Sequence, residues 1–210
     1  MLYKTTRRLF KGIYQYKIVL VCSGASLFRS GDIEEALDKL QKVDLMQSNR
    51  HNSYRLATIK TQSDLDYAFK VANLLANQTD IDIRVESPWV SIYSNDKKLI
   101  NNLAKIDKNC VKYICEPDNS VNLTPDTVVM PKMNYDYRVT LGKTTQPNPA
   151  FIDWAEQSAK CKLTKSCIRD LNKPRSWGGT HFYITGDNNL LLAKMHLGGS
   201  ISKIERIVKN

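Results

Sequence analysis

The sequence predicts an α+β fold in which one order of elements, strand, helix, strand, strand, helix, strand, is written twice behind an N-terminal β-hairpin and helix. Three observations lead there. Two segments show the same succession of apolar periodicities, a register displaced by 91 residues aligns Tyr93-Ser-Asn-Asp96 with Ile184-Thr-Gly-Asp187, and a connector rich in Pro, Asn and Asp separates them. Internal similarity at a fixed displacement is the signature of repeated architecture. The order itself is the ferredoxin-like one, so the expected fold is two tandem βαββαβ units from an internal duplication.

Residues 2–22 read as a hairpin, Tyr3 to Phe10 and Tyr14 to Cys22 about a turn at Lys11-Gly12, because β-branched residues crowd the second arm. Gly24 to Phe28 reads as a loop. Ser30-Gly-Asp32 precedes Ile33, Ala36, Leu37 and Leu40 at helical spacing, which predicts a capped helix.

The first unit opens on Tyr54 to Ile59 as a strand and continues with a helix from Asp64 to Asn77, on whose apolar face Leu65, Ala68, Phe69, Ala72 and Leu75 recur. Asp80 to Val85 alternates as a half-buried strand does, Ser87-Pro88 turns the chain, and Val90 to Tyr93 is the next strand. A helix from Lys97 to Ile106 and a strand from Val111 to Ile114 complete it.

In the second unit Tyr137 to Leu141, His181 to Thr185 and Ile201 to Val208 read as strands, with helices over Pro149 to Ser158 and Asn189 to Leu197. Its departure is a longer middle, where Leu163, Cys167, Ile168 and Leu171 share one face of an extra short helix. The domain reading is therefore 1–50 for a hairpin and helix packing on the first unit, 51–116 for that unit, 117–134 for a connector with Val128 to Met130 as a short edge strand, and 135–210 for the second unit with its basic insertion.

Length and composition bound the function. A chain of 210 residues, 42% hydrophobic and 25% charged, can bury a core, and its surplus of 31 Lys and Arg over 21 Asp and Glu gives a net charge of +10. That balance favours an anionic partner, nucleic acid first and an acidic protein second. Five cysteines are an odd number in a chain that needs no staples, which predicts reduced thiols and a cytoplasmic compartment, the host's if the protein is viral. Cys110-x4-Cys115 and Cys161-x5-Cys167 have no histidine beside them and sit at or beyond the upper end of zinc-knuckle spacing, so no metal and no cofactor are expected. Ile18 to Cys22 is too short for a membrane span and follows Lys11 and Lys17 too closely for a signal peptide, so no membrane association is expected either.

Charge is segregated. Lys4, Arg7, Arg8, Lys11 and Lys17 precede the first acidic residue, Asp32, and from Arg138 onward twelve Lys and Arg face five Asp and Glu. The densest segment is Lys160, Lys162, Lys165, Arg169, Lys173 and Arg175, followed by Trp177. If Thr164 caps a helix, Lys165, Arg169 and Lys173 stand at four-residue spacing as a stripe suited to phosphates, with Trp177 ready to stack on a base. Tyr183 in the second unit and Tyr93 in the first are strand aromatics that face outward or toward a neighbouring element, as the stacking rings of an RNA-recognition sheet do.

The histidines, His51, His181 and His196, lack metal-binding spacing. His181 beside Tyr183 or Lys162 is a weak candidate for a general base, since a strand histidine is more often a satisfied structural residue. Asp96 and Asp187 each precede a helix and read as N-caps.

The expectation is a non-catalytic protein binding single-stranded RNA or DNA. Phosphate contacts fall to Arg7, Arg8, Lys11, Lys162, Lys165, Arg169, Lys173 and Arg175, and stacking to Trp177 and Tyr183. Two other readings fit the same residues: a metal-independent endoribonuclease of duplicated ferredoxin-like type using His181, and an assembly or inhibitor protein of a virus or mobile element that docks on an acidic partner. The sequence leaves oligomeric state open.

Overall fold

The computed structural model describes residues 2–48, 59, 61–118 and 122–209. The chain is a mixed α+β protein with two five-stranded sheets and six α-helices among those residues. It divides into two compact units, Met1–Asp118 and Asn119–Asn210.

In unit 1 the strands are β1 (Tyr3–Thr6), β2 (Tyr16–Val21), β3 (Ile81–Glu86), β4 (Trp89–Ser94) and β5 (Val111–Pro117), and the helices are α1 (Ile33–Ser48), α2 (Gln62–Leu75) and α3 (Lys97–Ile106). The sheet order is β1-β5-β2-β4-β3, with β1 parallel to β5 and every other pair antiparallel. Ile18 and Leu20 of β2, Val90 and Ile92 of β4 and Ile114 of β5 share one sheet face and pack against Leu65, Ala68 and Leu75 of α2 and Ile100 and Leu103 of α3. The period of two along each strand sends Lys17, Val19, Trp89, Ser91 and Tyr93 to the other face.

In unit 2 the strands are β6 (Thr127–Val129), β7 (Tyr137–Leu141), β8 (Cys161–Leu163), β9 (His181–Ile184) and β10 (Ile201–Val208), and the helices are α4 (Pro149–Gln157), α5 (Lys165–Leu171) and α6 (Asp187–Leu197). The order is β6-β10-β7-β9-β8, again with only the β6 edge strand parallel to its neighbour. Val139, Leu141, Phe182 and Ile184 face the helices and pack on Phe151, Ala155, Cys167, Leu171, Leu190 and Ala193. Both sheets therefore carry helices on one side only.

Several sequence expectations need correction. The N-terminal hairpin does not form, because β5 lies between β1 and β2. The turn is present as a Phe10–Tyr14 bridge with left-handed Lys11 and Gly12, but Thr6 Oγ1 donates to the Arg8 carbonyl at 2.6 Å and ends β1 locally. The expected first strand, Tyr54 to Ile59, lies outside the described residues except for the buried Ile59, and so does His51. The place of a first strand beside β4 is taken by β2, upstream of α1. Gly24 to Phe28 is more ordered than a loop, since Ala25–Phe28 is a 3-10 turn with Phe28 fully buried. The long middle of unit 2 holds the extra helix, α5, but also the three-residue strand β8, which was too short to show a period.

The register between the units is 90 rather than 91. Tyr93 and Tyr183 lie on the helix-free faces of β4 and β9, Asp96 and Gly186 are the N-caps of α3 and α6, and Ile100 and Leu190 are both buried. Asp96 is a true cap, accepting from the Lys98 amide at 2.7 Å. Asp187 is instead the first residue of α6, and its carboxylate accepts the hydroxyl of Tyr137, which raises the pKa of that phenol. Leu191, expected to match buried Ile100, is exposed together with Leu192 and Met195, whereas the outward side of α3 is Lys97, Lys98, Asn101, Asn102 and Lys105.

Candidate nucleic-acid interface

The basic segment of unit 2 is built around α5. Thr164 caps it, accepting from the Cys167 amide at 3.2 Å and donating to the His181 carbonyl at 2.7 Å, which ties the helix start to β9. Cys167 and Leu171 point into the core, leaving Lys165 and Arg169 exposed. The helix stops at Asn172, and Pro174 cannot extend it. Lys173 therefore lies past the helix end and is not a third member of the stripe. Its ammonium bonds Asp170 Oδ1 at 3.2 Å.

Beyond Pro174 the chain is stapled to the end of β7. Thr144 and Ser176 exchange backbone hydrogen bonds of 3.0 and 3.1 Å, the Gly179 amide donates to Leu141 O at 2.8 Å, and the Leu141 amide donates to Thr180 O at 2.8 Å. Gly178 makes this approach possible. It has φ +77°, and a Cβ there would meet the Gly142 carbonyl at 2.4 Å. Held between these bonds, Trp177 is 90% exposed, with Lys143 Nζ 5.2 Å from its ring centroid. A large apolar ring kept in water by a rigid backbone is the informative exception to burial, and it is the geometry of a stacking platform.

The buried Asp170 anchors the same loop from below. Burial alone would raise its pKa, but the Lys173 ammonium and the Ser176 hydroxyl, with Thr180 contributing, outweigh that and hold the carboxyl below its usual range.

The other expected contacts are distributed as follows. Lys162, Lys165, Arg169 and Arg175 are exposed, and among the described residues no salt bridge engages them. Arg7, Arg8 and Lys11 belong to unit 1, where Lys11 pairs with Asp82 and is largely neutralised.

Tyr183 is not available to a base. It is 7% exposed, packs on Val128 and Ile207, and lies beneath Met130, Met133 and Tyr135, whose ring centroid is 6.0 Å away. Its hydroxyl meets His181 Nε2 at 3.1 Å, while His181 Nδ1 faces the Arg138 guanidinium at 3.4 Å. A guanidinium only donates, so Nδ1 accepts and Nε2–H is directed to the tyrosine oxygen. Both ring nitrogens of His181 are thus engaged in a network that continues through Arg138 to the fully buried Glu205, which Lys203 also pairs with.

Tyr93 of unit 1 is covered in the same way. It is 6% exposed beneath Phe10 and Tyr14, with centroids at 5.7 and 6.4 Å. The ammonium groups of Lys17 and Lys11 stand 5.3 and 5.1 Å from its ring, and Lys4 stands 4.2 Å from Tyr113. Burial beneath Phe10 and Tyr14, more than the lysine heads, closes Tyr93 to a base. These lysines and Tyr113 were missed as a group because they come together only through β-pairing, and Lys143 was missed because it lies 34 residues before Trp177 in the chain.

The cysteines take no part. Burial pushes Cys22 up to about 11 and Cys161 and Cys167 up to about 12, so these thiols stay protonated and unreactive. No helix among the described residues is long and apolar enough to cross a membrane. The chain matches no protein-family model, no curated protein and no solved structure.

Proposed function

We propose that this chain binds single-stranded RNA or DNA without catalysis, in a reducing, cytoplasmic compartment, on a scaffold of two ferredoxin-like units that arose by duplication. The shared strand order, the parallel edge strands and the two tyrosines buried under equivalent crossing segments support the duplication. Each unit also repeats the strand and helix succession of a βαββαβ core.

The observation that carries the functional reading is Trp177, exposed on a stapled loop beside Lys143 and followed upstream by Arg175, Arg169 and Lys165. Stacking tolerates any base, and cations without acidic partners suit a phosphate backbone, so a single strand fits better than a duplex, whose bases present only their edges. The engaged nitrogens of His181 favour binding over cleavage.

The test is filter binding of labelled single strands and of the matching duplex at two salt concentrations, with tryptophan fluorescence followed in parallel in the parent and in Trp177→Phe. Tighter binding of the single strand, weakened by salt and accompanied by quenching, is expected. Equal retention of duplex and single strand, or strand cleavage lost in His181→Ala, would overturn it.

A further inference from the structure

A second feature of unit 2 is a cleft of about 380 Å³ where the segment before β7 passes the start of β8 and the end of β9. Lys132, Lys160 and Lys162 line it together with Tyr135, Asn134 and Thr185, and no carboxylate does. Its walls are fixed. The Thr185 amide donates to Lys160 O at 2.9 Å, the Met133 amide to Met130 O at 3.0 Å, and the Tyr135 ring rests on Tyr183. Among the described residues no salt bridge engages any of the three lysines.

Three lysines line one small space with no carboxylate to balance them, and that unbalanced positive charge is offset when an anion enters. We propose that the cleft binds the phosphomonoester of a nucleotide, with Tyr135, Thr185 and Asn134 supplying neutral contacts to the sugar or base. A monoester carries close to two negative charges at neutral pH, whereas an internal diester brings one, so three cations select the end of a strand or a free nucleotide over its interior. The volume agrees, since it lies at the small end of the roughly 300–1,000 Å³ usual for ligand sites, enough for one nucleotide. This inference deepens the single-strand reading for the strand-end case and stands apart from it for a free nucleotide.

The experiment compares the full chain's affinity for one single-stranded oligonucleotide carrying a 5′-phosphate, a 3′-phosphate or hydroxyls at both ends. A nucleoside monophosphate and inorganic phosphate are titrated alone by calorimetry. A terminal phosphate is expected to tighten binding about tenfold. Lys132→Gln is expected to remove that advantage while leaving the affinity of the hydroxyl-ended strand unchanged. Binding of the mononucleotide with no preference among strand ends would assign the cleft to a free nucleotide. Equal affinity for all strand ends together with no heat from the mononucleotide overturns the cleft while leaving Trp177-dependent strand binding intact. An end preference that survives Lys132→Gln overturns it as well.

Discussion

Trp89 and Trp177 precede or begin the corresponding strands of the two units, and their surroundings differ. Trp89 is the first residue of β4, 38% exposed, with Lys112 Nζ 3.0 Å from its ring centroid. Trp177 stands clear of β9 and is 90% exposed. The cause is the link from the preceding strand. In unit 1 it is Ser87-Pro88 alone, which keeps the indole against the sheet, whereas in unit 2 it runs from Thr164 to Thr180 and includes α5. A long link that frees a ring from the sheet leaves it useless unless the backbone is fixed again, and the Thr144–Ser176 and Leu141–Gly179 bonds do that.

Undoing the staple breaks the contrast most severely. Gly178→Ala places a Cβ 2.4 Å from the Gly142 carbonyl at a left-handed φ, and is expected to cost about 2–5 kcal/mol of stability. Gly179→Ala, equally left-handed but with open space around it, is expected to cost about 1–2 kcal/mol. Urea unfolding of the two variants checks the difference. Equal costs would mean that backbone strain alone, and not the close approach to Gly142, holds the loop.

Replacing each indole sharpens the contrast. Trp177→Ala is expected to weaken single-strand affinity by roughly 5- to 150-fold, the loss of about 1–3 kcal/mol of stacking, with the melting temperature unchanged. Trp89→Ala is expected to do the reverse, lowering the melting temperature and leaving affinity within about twofold, since its ring face is already taken. Anisotropy titrations and thermal melts of both variants decide it, and matching losses of affinity would erase the distinction between the two rings.

Much of this was legible in the chain. Lys97–Ile106 was read to the residue because a cap and a helical period agree there, Ile201–Val208 because Gly198-Gly199 closes the helix before it, and Trp177 was singled out by its cationic neighbours. Three things were not legible. Which strand opens unit 1 depends on long-range pairing, and Tyr3 to Cys22 has the local pattern of a hairpin even though Ile114 and Cys115 come between its arms. Whether Tyr183 is open depends on Tyr135 and Met133 folding over it from outside any regular element. The α6 register failed because Leu190, Leu191 and Leu192 are apolar on both sides of the helix, so periodicity could not tell the buried one from its neighbours.

Charge on α5 gives a smaller effect. Lys165→Glu with Arg169→Glu is expected to lower affinity about tenfold and to flatten the dependence of log K on log salt by about 1.4, two contacts at roughly 0.7 each for a single strand. An unchanged slope would take the α5 face out of the contact and leave Trp177 acting with Arg175 and Lys143.

The smallest effect is set by pH, through the carboxylate beneath the loop. The folded-state pKa of Asp170 lies below its ordinary 3.8, because the Lys173 and Ser176 bonds overcome the effect of burial. A group depressed in this way binds protons more readily when unfolded, so its contribution is fully present above about pH 4 and is lost as pH falls through the lowered folded value. Asp170→Asn should therefore melt at a lower temperature than the parent at pH 6, and the gap should close toward pH 3. The part of the tryptophan emission that Trp177→Phe removes should report the loop loosening over the same interval. A gap that stays constant from pH 6 to pH 3 would show that the side chain holds the loop by its shape and neutral hydrogen bonds, and that its charge adds nothing to the rigidity on which the exposed tryptophan depends.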